Sequence, residues 1–335
     1  MMFGIHKLPS YICYWSSDPL QRVSAIADVM GRCRYQEILR CFHVNDSTES
    51  VRKGRPGYDP LFKVRPAIET VLNACQNYFA PGVSITTDEA MIAFQGRLSF
   101  KQYMQNKPNP WGIKIWCCCD RATGYLTDFF MYTGKSDAPM QNGLGHHVVM
   151  TVGRRFLDKY HHFYFDNFFS SVRLVKDLLQ RNTYSCSTVR TNRRHWPQDL
   201  KCKMDQGECK MRQVGNLVAC FWRDKRYIST ISIRMGIADR RTKDSLVSKK
   251  IPQPILVYNS NLAGNDLNDQ LRSYYPVGRK SNKWWRCCFW YLIEVSLVNA
   301  YIIYKNTPRP PGSKPMPHFN FHLEVARSLF QEGCR

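Results

Sequence analysis

The chain is short of acid. Its 335 residues carry 26 Asp and Glu against 48 Lys and Arg, a formal net charge of +22 at pH 7 that is spread along the whole length. Such a balance points to a polyanionic partner, because each phosphate neutralised releases counterions and adds salt-sensitive affinity. A merely basic, ribosomal-type surface is the plain alternative. No C-x-x-C pair occurs, and Cys202 with Cys209 is too isolated for a structural zinc site. The 14 cysteines fall instead in runs such as Cys117-Cys118-Cys119 and Cys287-Cys288 inside apolar segments, and read as reduced core residues of a cytosolic or nuclear protein. No charged-then-apolar leader opens the chain. Nor is there an uninterrupted membrane span: residues 287–304 are apolar but carry Glu294 and Asn299 near their centre, and a central charge costs roughly 2.5–3.5 kcal/mol on insertion scales. A buried helix without membrane contact is expected there; a membrane protein would require recovery in the detergent fraction.

What the chain has is core. A hydrophobic content of 44% with 13% aromatics excludes disorder for most of it and leaves room for two or three domains. Residues 1–80 read as helical: Ser17 or Asp18 as a cap with Pro19 in the first turn, then Val23, Ile26 and Val29 on one face. RYQEILRCFHV and AIETVLNACQNYF repeat that texture around a polar loop at 49–60. From Gly82 strands take over. VSITTDEAMIAF is expected to run as a strand up to Asp88, GIKIWCCCD and LTDFFMYTG form a hairpin, and a helix leads to the aromatic strand HHFYFDNFFSS at 161–171. Three strands, helix, strand, helix, strand make a mixed α/β sheet. Residues 192–250 break the rhythm and suggest an inserted small β-rich subdomain. NSNLAGNDLNDQLRSYY then reads as a helix with Leu267, Leu271 and Tyr274 on one side, and Asp266 with Asp269 on another.

Because acids are few, those inside apolar elements carry information. Asp166, in the middle of an aromatic run, either caps the helix SSVRLVKDLLQRN or serves as a metal ligand at a strand end. Asp88 at the end of the first strand, Asp166, and Asp266 with Asp269 would together suit two hard divalent cations activating an in-line phosphoryl displacement. Capping competes with that reading at about even weight. RSYYPVGRKSNKWWR interleaves aromatic and basic residues and offers Arg279, Lys280 and Lys283 to phosphates; Arg97, Lys101 and Lys107 are further DNA-contact candidates. Trp284 and Trp285 equally suit the core of the next helix. His146-His147 and His161-His162 suit surface or capping roles better than metal binding.

TTDEAMIAFQGRLSFKQYMQNKPNPWGIKIWCCCD, YFDNFFSSVRLVKDLLQRNTYSCSTVR, AGNDLNDQLRSYYPVGRKSNKWW and KLPSYICYWSSDPL closely resemble the piggyBac transposase family and its transposable element-derived relatives. The resemblance implies a ribonuclease H-like DDE/D catalytic core in 83–191, completed by a last helix in 254–275 and interrupted by an insertion at 192–253. Around it a helical dimerisation and DNA-binding domain would be built from 1–82 and 276–335. By motif, Asp88, Asp166 and Asp266 match the three catalytic aspartates, with Asp269 a further acidic position. The implied chemistry is nicking and strand transfer at transposon ends and TTAA targets in double-stranded DNA by a nuclear homodimer, with two Mg²⁺ ions that Mn²⁺ can replace. Where relatives read Gly-Gly-Val-Asp, this chain has Ala263-Gly264-Asn265-Asp266, a polar residue in place of an apolar one. It is also expected to lack the acidic N-terminal region and the cysteine-rich zinc-binding tail of relatives. Two function classes follow, an active transposase and a catalytically silent DNA-binding or chromatin-associated derivative.

Overall fold

The computed structural model describes residues 1–105, 107–135, 140–233, 237–241 and 248–333. Its elements in chain order are α1 (Met2–Ile5), α2 (Ser24–Ala27), α3 (Arg32–Cys41), α4 (Arg65–Asn77), β1 (Ser84–Ala93), β2 (Gln102–Tyr103), β3 (Trp111–Asp120), β4 (Leu126–Met131), α5 (Leu144–Val152), β5 (His162–Phe165), α6 (Val172–Gln180), β6 (Tyr184–Thr188), β7 (Cys209–Val214), β8 (Leu217–Arg223), β9 (Tyr227–Ser232), β10 (Ile237–Arg241), β11 (Ser248–Pro252), α7 (Gln253–Asn261), α8 (Gly264–Tyr274), α9 (Trp284–Asn306) and α10 (His318–Gly333). They form two compact units. One holds Met1–Tyr78, Met91–Lys114 and Asp269–Arg335, the other Phe79–Ala90 and Ile115–Asn268. Residues 91–114 therefore group with the helical segments rather than with the sheet, and α8 divides between Asn268 and Asp269.

The second unit is built on a mixed sheet in which β1, β5 and β6 run parallel, Ile85 facing Phe163 and Phe163 facing Ser185. Side chains alternate along each strand, so β5 serves two faces. Phe163 and Phe165 join Ile85, Val148 and Val152 of α5, and Leu174 and Leu178 of α6, in one fully buried cluster. Tyr164 and Cys186 meet Tyr258 of α7 on the other. Coverage on both faces is why the sequence here reads as a nearly continuous apolar run. β3 and β4 pair as the expected hairpin, Ile115 opposite Met131.

Three details depart from the sequence reading. β1 does not stop at Asp88: it leaves β5 after the Thr87–Phe165 pair but continues to Ala93, so Asp88 sits inside a strand. Nor do β7, β8 and β9 stand apart as a separate subdomain sheet. Cys186, Ser187 and Thr188 of β6 pair antiparallel with β9, so the insertion's three strands continue the main sheet, while β10 and β11 form a small ribbon of their own. And Asp166 is not the helix cap. Ser171 caps α6, its hydroxyl accepting from Leu174 N at 3.1 Å, whereas Asp166 Oδ1 accepts from Phe168 N at 2.8 Å in a tight turn that precedes the helix.

In the first unit, α9 is long and apolar enough to cross a membrane by length and composition. Within the fold it packs against α4, with Tyr291, Leu292, Val295, Val298 and Ile302 buried. Asn299, also buried, donates to Cys75 Sγ of α4 at 3.2 Å. Trp284 and Trp285 open α9; Trp285 is buried and Trp284 sets its ring edge-on to Phe100. The helix expected after Pro19 is reduced to α2, because Asp18 turns the chain on itself: its carboxylate accepts from Leu20 N, and its carbonyl from Gln21 N and Arg22 N.

Candidate active site

Three of the acidic candidates lie in the second unit: Asp88 within β1, Asp166 just past the end of β5, and Asp266 in the first turn of α8. The parallel pairing of β1 with β5 ends at Thr87 and Phe165, so Asp88 and Asp166 each directly follow the last paired residue of their strand. They stand where two adjacent parallel strands part, and neighbouring strands run about 4.8 Å apart. Asp88 Oδ1 accepts from Glu89 N at 2.8 Å, and both carboxylates are half-exposed. Tyr258 of α7 reports their joint presence: burial pushes its phenol up to about 12, and the negative charges of Asp166 and Asp88 add to the rise.

The third candidate arrives on α8, and an asparagine holds it there. Asn265 is 7% exposed; its Oδ1 accepts from Thr86 Oγ1 at 2.6 Å and its Nδ2 donates to Cys117 O at 3.4 Å. One turn on, Asn268 Nδ2 donates to Gly124 O at 2.9 Å. Gly264 comes so close to the sheet that a Cβ would lie 2.5 Å from Thr86 Oγ1 and 3.0 Å from Asp120 O. Helix α8 thus docks through small and polar residues, and the stripe expected from Leu267, Leu271 and Tyr274 is not its buried side. Asp266, beside Asn265, is exposed in the first turn, where a carboxylate also suits the helix dipole.

Asp269, in the other unit, is engaged differently. It forms an ion pair with Arg272, whose buried guanidinium also approaches Glu294 Oε2 at 3.7 Å and lies over the Tyr291 ring. Among the described residues no group of three or more His, Cys, Asp or Glu side chains is drawn together tightly enough to hold a metal. The oxygen-only donors Asp88 and Asp166 nevertheless fit a hard divalent cation in chemistry and placement. Another carboxylate, Asp120, is committed to structure. It is 2% exposed, and its oxygens accept from Gly82 N at 2.8 Å, Thr123 N at 2.8 Å and Thr123 Oγ1 at 2.7 Å.

Sequence reasoning passed over two arginines that clamp the turn after Asp166. Arg193 Nη2 donates to the carbonyls of Asn167 at 3.1 Å and Phe168 at 2.8 Å, and Arg190 Nε to Asn167 Oδ1 at 2.9 Å. Nothing local in the sequence ties residues 190–193 to 167–168. The histidine pairs behave as surface and structural groups: His146 Nε2 meets Asp177 Oδ2 at 2.9 Å, and His161 Nδ1 meets Val83 O at 3.2 Å.

The DNA-contact candidates, all in the first unit, divide into two sets. Arg279 is turned inward, donating to Leu8 O at 2.8 Å and to the Tyr14 hydroxyl, and stacking on Phe3 and Tyr14; burial lowers its basicity. Lys101 closes its own loop, with Nζ 3.0 Å from Gly96 O and 4.9 Å above the Trp111 ring. Lys107 is half-buried, while Arg97, Lys280 and Lys283 are exposed. The loop that carries Lys280 and Lys283 is fixed by Glu294, which accepts from Val277 N at 2.9 Å and Gly278 N at 3.1 Å; burial pushes that carboxyl above its usual range. Gln95, Trp111, Arg279, Lys280 and Trp290 help to line a cleft of about 710 Å³ within this unit.

Residues 1–301 match the family described as Transposase IS4, so the chain belongs to that transposase family. Within it the likeness is to the piggyBac type. PiggyBac transposable element-derived protein 3 of Homo sapiens is 26% identical over 96% of this chain and 56% of its own length. PiggyBac transposable element-derived protein 2 of Homo sapiens is 28% identical over 91% of this chain and 54% of its own. The chain therefore spans about half the length of these curated relatives. In structure it superposes on the piggyBac transposase of a cryo-EM synaptic complex with hairpin DNA, with a TM-score of 0.85 and 26% identity, covering 98% of this chain and 68% of that one. The mixed α/β architecture with its ribonuclease H-like core is that of this neighbour.

Proposed function

We propose that this chain is a piggyBac-like DDE/D transposase, or a derivative of one, that cuts and rejoins double-stranded DNA through Asp88, Asp166 and Asp266. The observation that carries the reading is the placement of Asp88 and Asp166 directly after the last paired residues of adjacent parallel strands, with α8 docked on β1 through Asn265 and Thr86. Asp88 and Asp166 would hold divalent metal, two Mg²⁺ ions in the full reading with Mn²⁺ as a substitute, and Asp266 would complete the set. Bound there, such ions supply an activated hydroxyl and stabilise the leaving oxygen of a phosphodiester. The chain's own part is positional: the parallel strands fix two carboxylates, and the Asn265 anchor presents the third. Arg97, Lys280 and Lys283 suit backbone phosphates, which set register without reading sequence. Transposon ends, a TTAA target, a homodimer and a nuclear setting belong to the same proposal.

Nicking of a TTAA-containing duplex in Mg²⁺ or Mn²⁺ by wild type but not by Asp166→Asn is expected; equal cleavage by both would sink the reading. A second reading is a catalytically silent DNA-binding protein, favoured by the engagement of Asp269 with Arg272. It expects salt-dependent DNA binding that survives loss of all three aspartates, and a melting temperature indifferent to divalent ions.

A further inference from the structure

Outside the carboxylate site, the sheet extension holds a pair of thiols at unusually short range. Cys209 Sγ on β7 and Cys220 Sγ on β8 lie 3.4 Å apart. The register explains it: Cys209 faces Trp222 and Cys220 faces Met211, so the two cysteines are diagonal neighbours on one side of an antiparallel pair. Their environments differ. Cys220 is 0% exposed within a cluster containing Trp222, Ile251 and Ile255, whereas Cys209 sits half-exposed on the strand at the sheet's edge.

We propose that Cys209 and Cys220 form a peroxide-responsive pair, with Cys209 the attacking thiol and Cys220 the resolving one. In the first step the Cys209 thiolate attacks one peroxide oxygen, the O–O bond breaks, and a sulfenic acid and hydroxide result. In the second, Cys220 sulfur attacks the Cys209 sulfenic sulfur; the S–O bond breaks, the Cys220 proton leaves with the hydroxyl as water, and a disulfide forms. Two thiols are oxidised and one peroxide is reduced to two waters. The assignment of Cys209 as the attacking thiol agrees with its half-exposed position and with the hydrogen bond from Cys220, which makes it the more acidic of the two. The product would clip the edge strand β7 to β8 and hold the pair against fraying.

The test treats the full chain with hydrogen peroxide, blocks remaining thiols with an alkylating agent, and digests with trypsin. The expected product is the peptide 204–210 joined to the peptide 213–223, together with an intact mass lower by two hydrogens. Cys209→Ser, a mild change at a half-exposed position, should abolish the crosslink. In Cys220→Ser a sulfenic acid should persist on Cys209, where dimedone captures it. Recovery of both peptides fully alkylated, at a dose that already oxidises the exposed Cys33 or Cys41, would overturn the proposal. So would a disulfide from Cys209 to any cysteine other than Cys220.

Discussion

Thr86 and Asn265, 179 residues apart in sequence, are joined by a hydrogen bond of 2.6 Å in which the threonine hydroxyl donates to the asparagine Oδ1, and both side chains are buried. Asn265 is thus the anchor of the helix that carries Asp266. Replacing it with the apolar Leu should leave the Thr86 hydroxyl only its longer bond to Cys119 O, 3.3 Å, and remove the amide's bond to the Cys117 carbonyl, at a cost of about 1–3 kcal/mol. Urea unfolding of Asn265→Leu checks this. The double variant Thr86→Val/Asn265→Val, which removes both partners, should recover much of the loss. An unchanged midpoint in the single variant would show the bond to be dispensable.

Gly264 sets the approach of the same helix. With a Cβ 2.5 Å from Thr86 Oγ1 and 3.0 Å from Asp120 O, Gly264→Ala must push α8 off the sheet. A penalty of about 1–3 kcal/mol is expected from overpacking. Thermal melts measure it. On the proposed mechanism, nicking should fall further than stability, since Asp266 moves with the helix.

The histidines of α10 make stability depend on pH. His318 and His322 face each other, Nε2 to Nε2 at 3.0 Å, among the rings of Tyr275, Tyr301 and Phe321. Burial takes both from the ordinary 6.5 down to about 4, with the neighbouring His318 adding to the effect on His322. Between those values the unfolded chain binds more protons than the folded one, so stability rises with pH from about 4 to 6.5 and is lost as pH falls through that window. The 2%-exposed His322 alone accounts for up to about 3 kcal/mol. Urea midpoints from pH 4 to 7 should flatten in His322→Leu.

Lys280 and Lys283 are exposed on the loop that Glu294 secures. If they meet phosphates, Lys280→Ala/Lys283→Ala should weaken binding to unrelated duplexes alike and lower the magnitude of the log–log salt slope by about 2. Arg279→Ala is expected instead to lower thermal stability, because its guanidinium holds Leu8 O and the Tyr14 ring. DNA titrations at several salt concentrations, run beside melts, separate the two behaviours.

The sequence determined the kinds of element and most of their order. Period-two alternation and aromatic runs marked β1, β3, β4 and β5, because each strand must fill a core face; the 3.6-residue pattern marked α3, α4 and α6 for the same reason, and a long apolar run marked α9. The scarcity of acid against a basic background made Asp88, Asp166 and Asp266 visible as candidates. What only the tertiary structure decided was who touches whom. The Asn265–Thr86 bond, the grip of Arg193 on the turn after Asp166, and the inward commitment of Arg279 all join residues remote in sequence. No local pattern encodes such pairs. A hydrogen bond is settled by where the chain brings donor and acceptor, so a lone arginine reads alike whether it will meet a phosphate or a carbonyl.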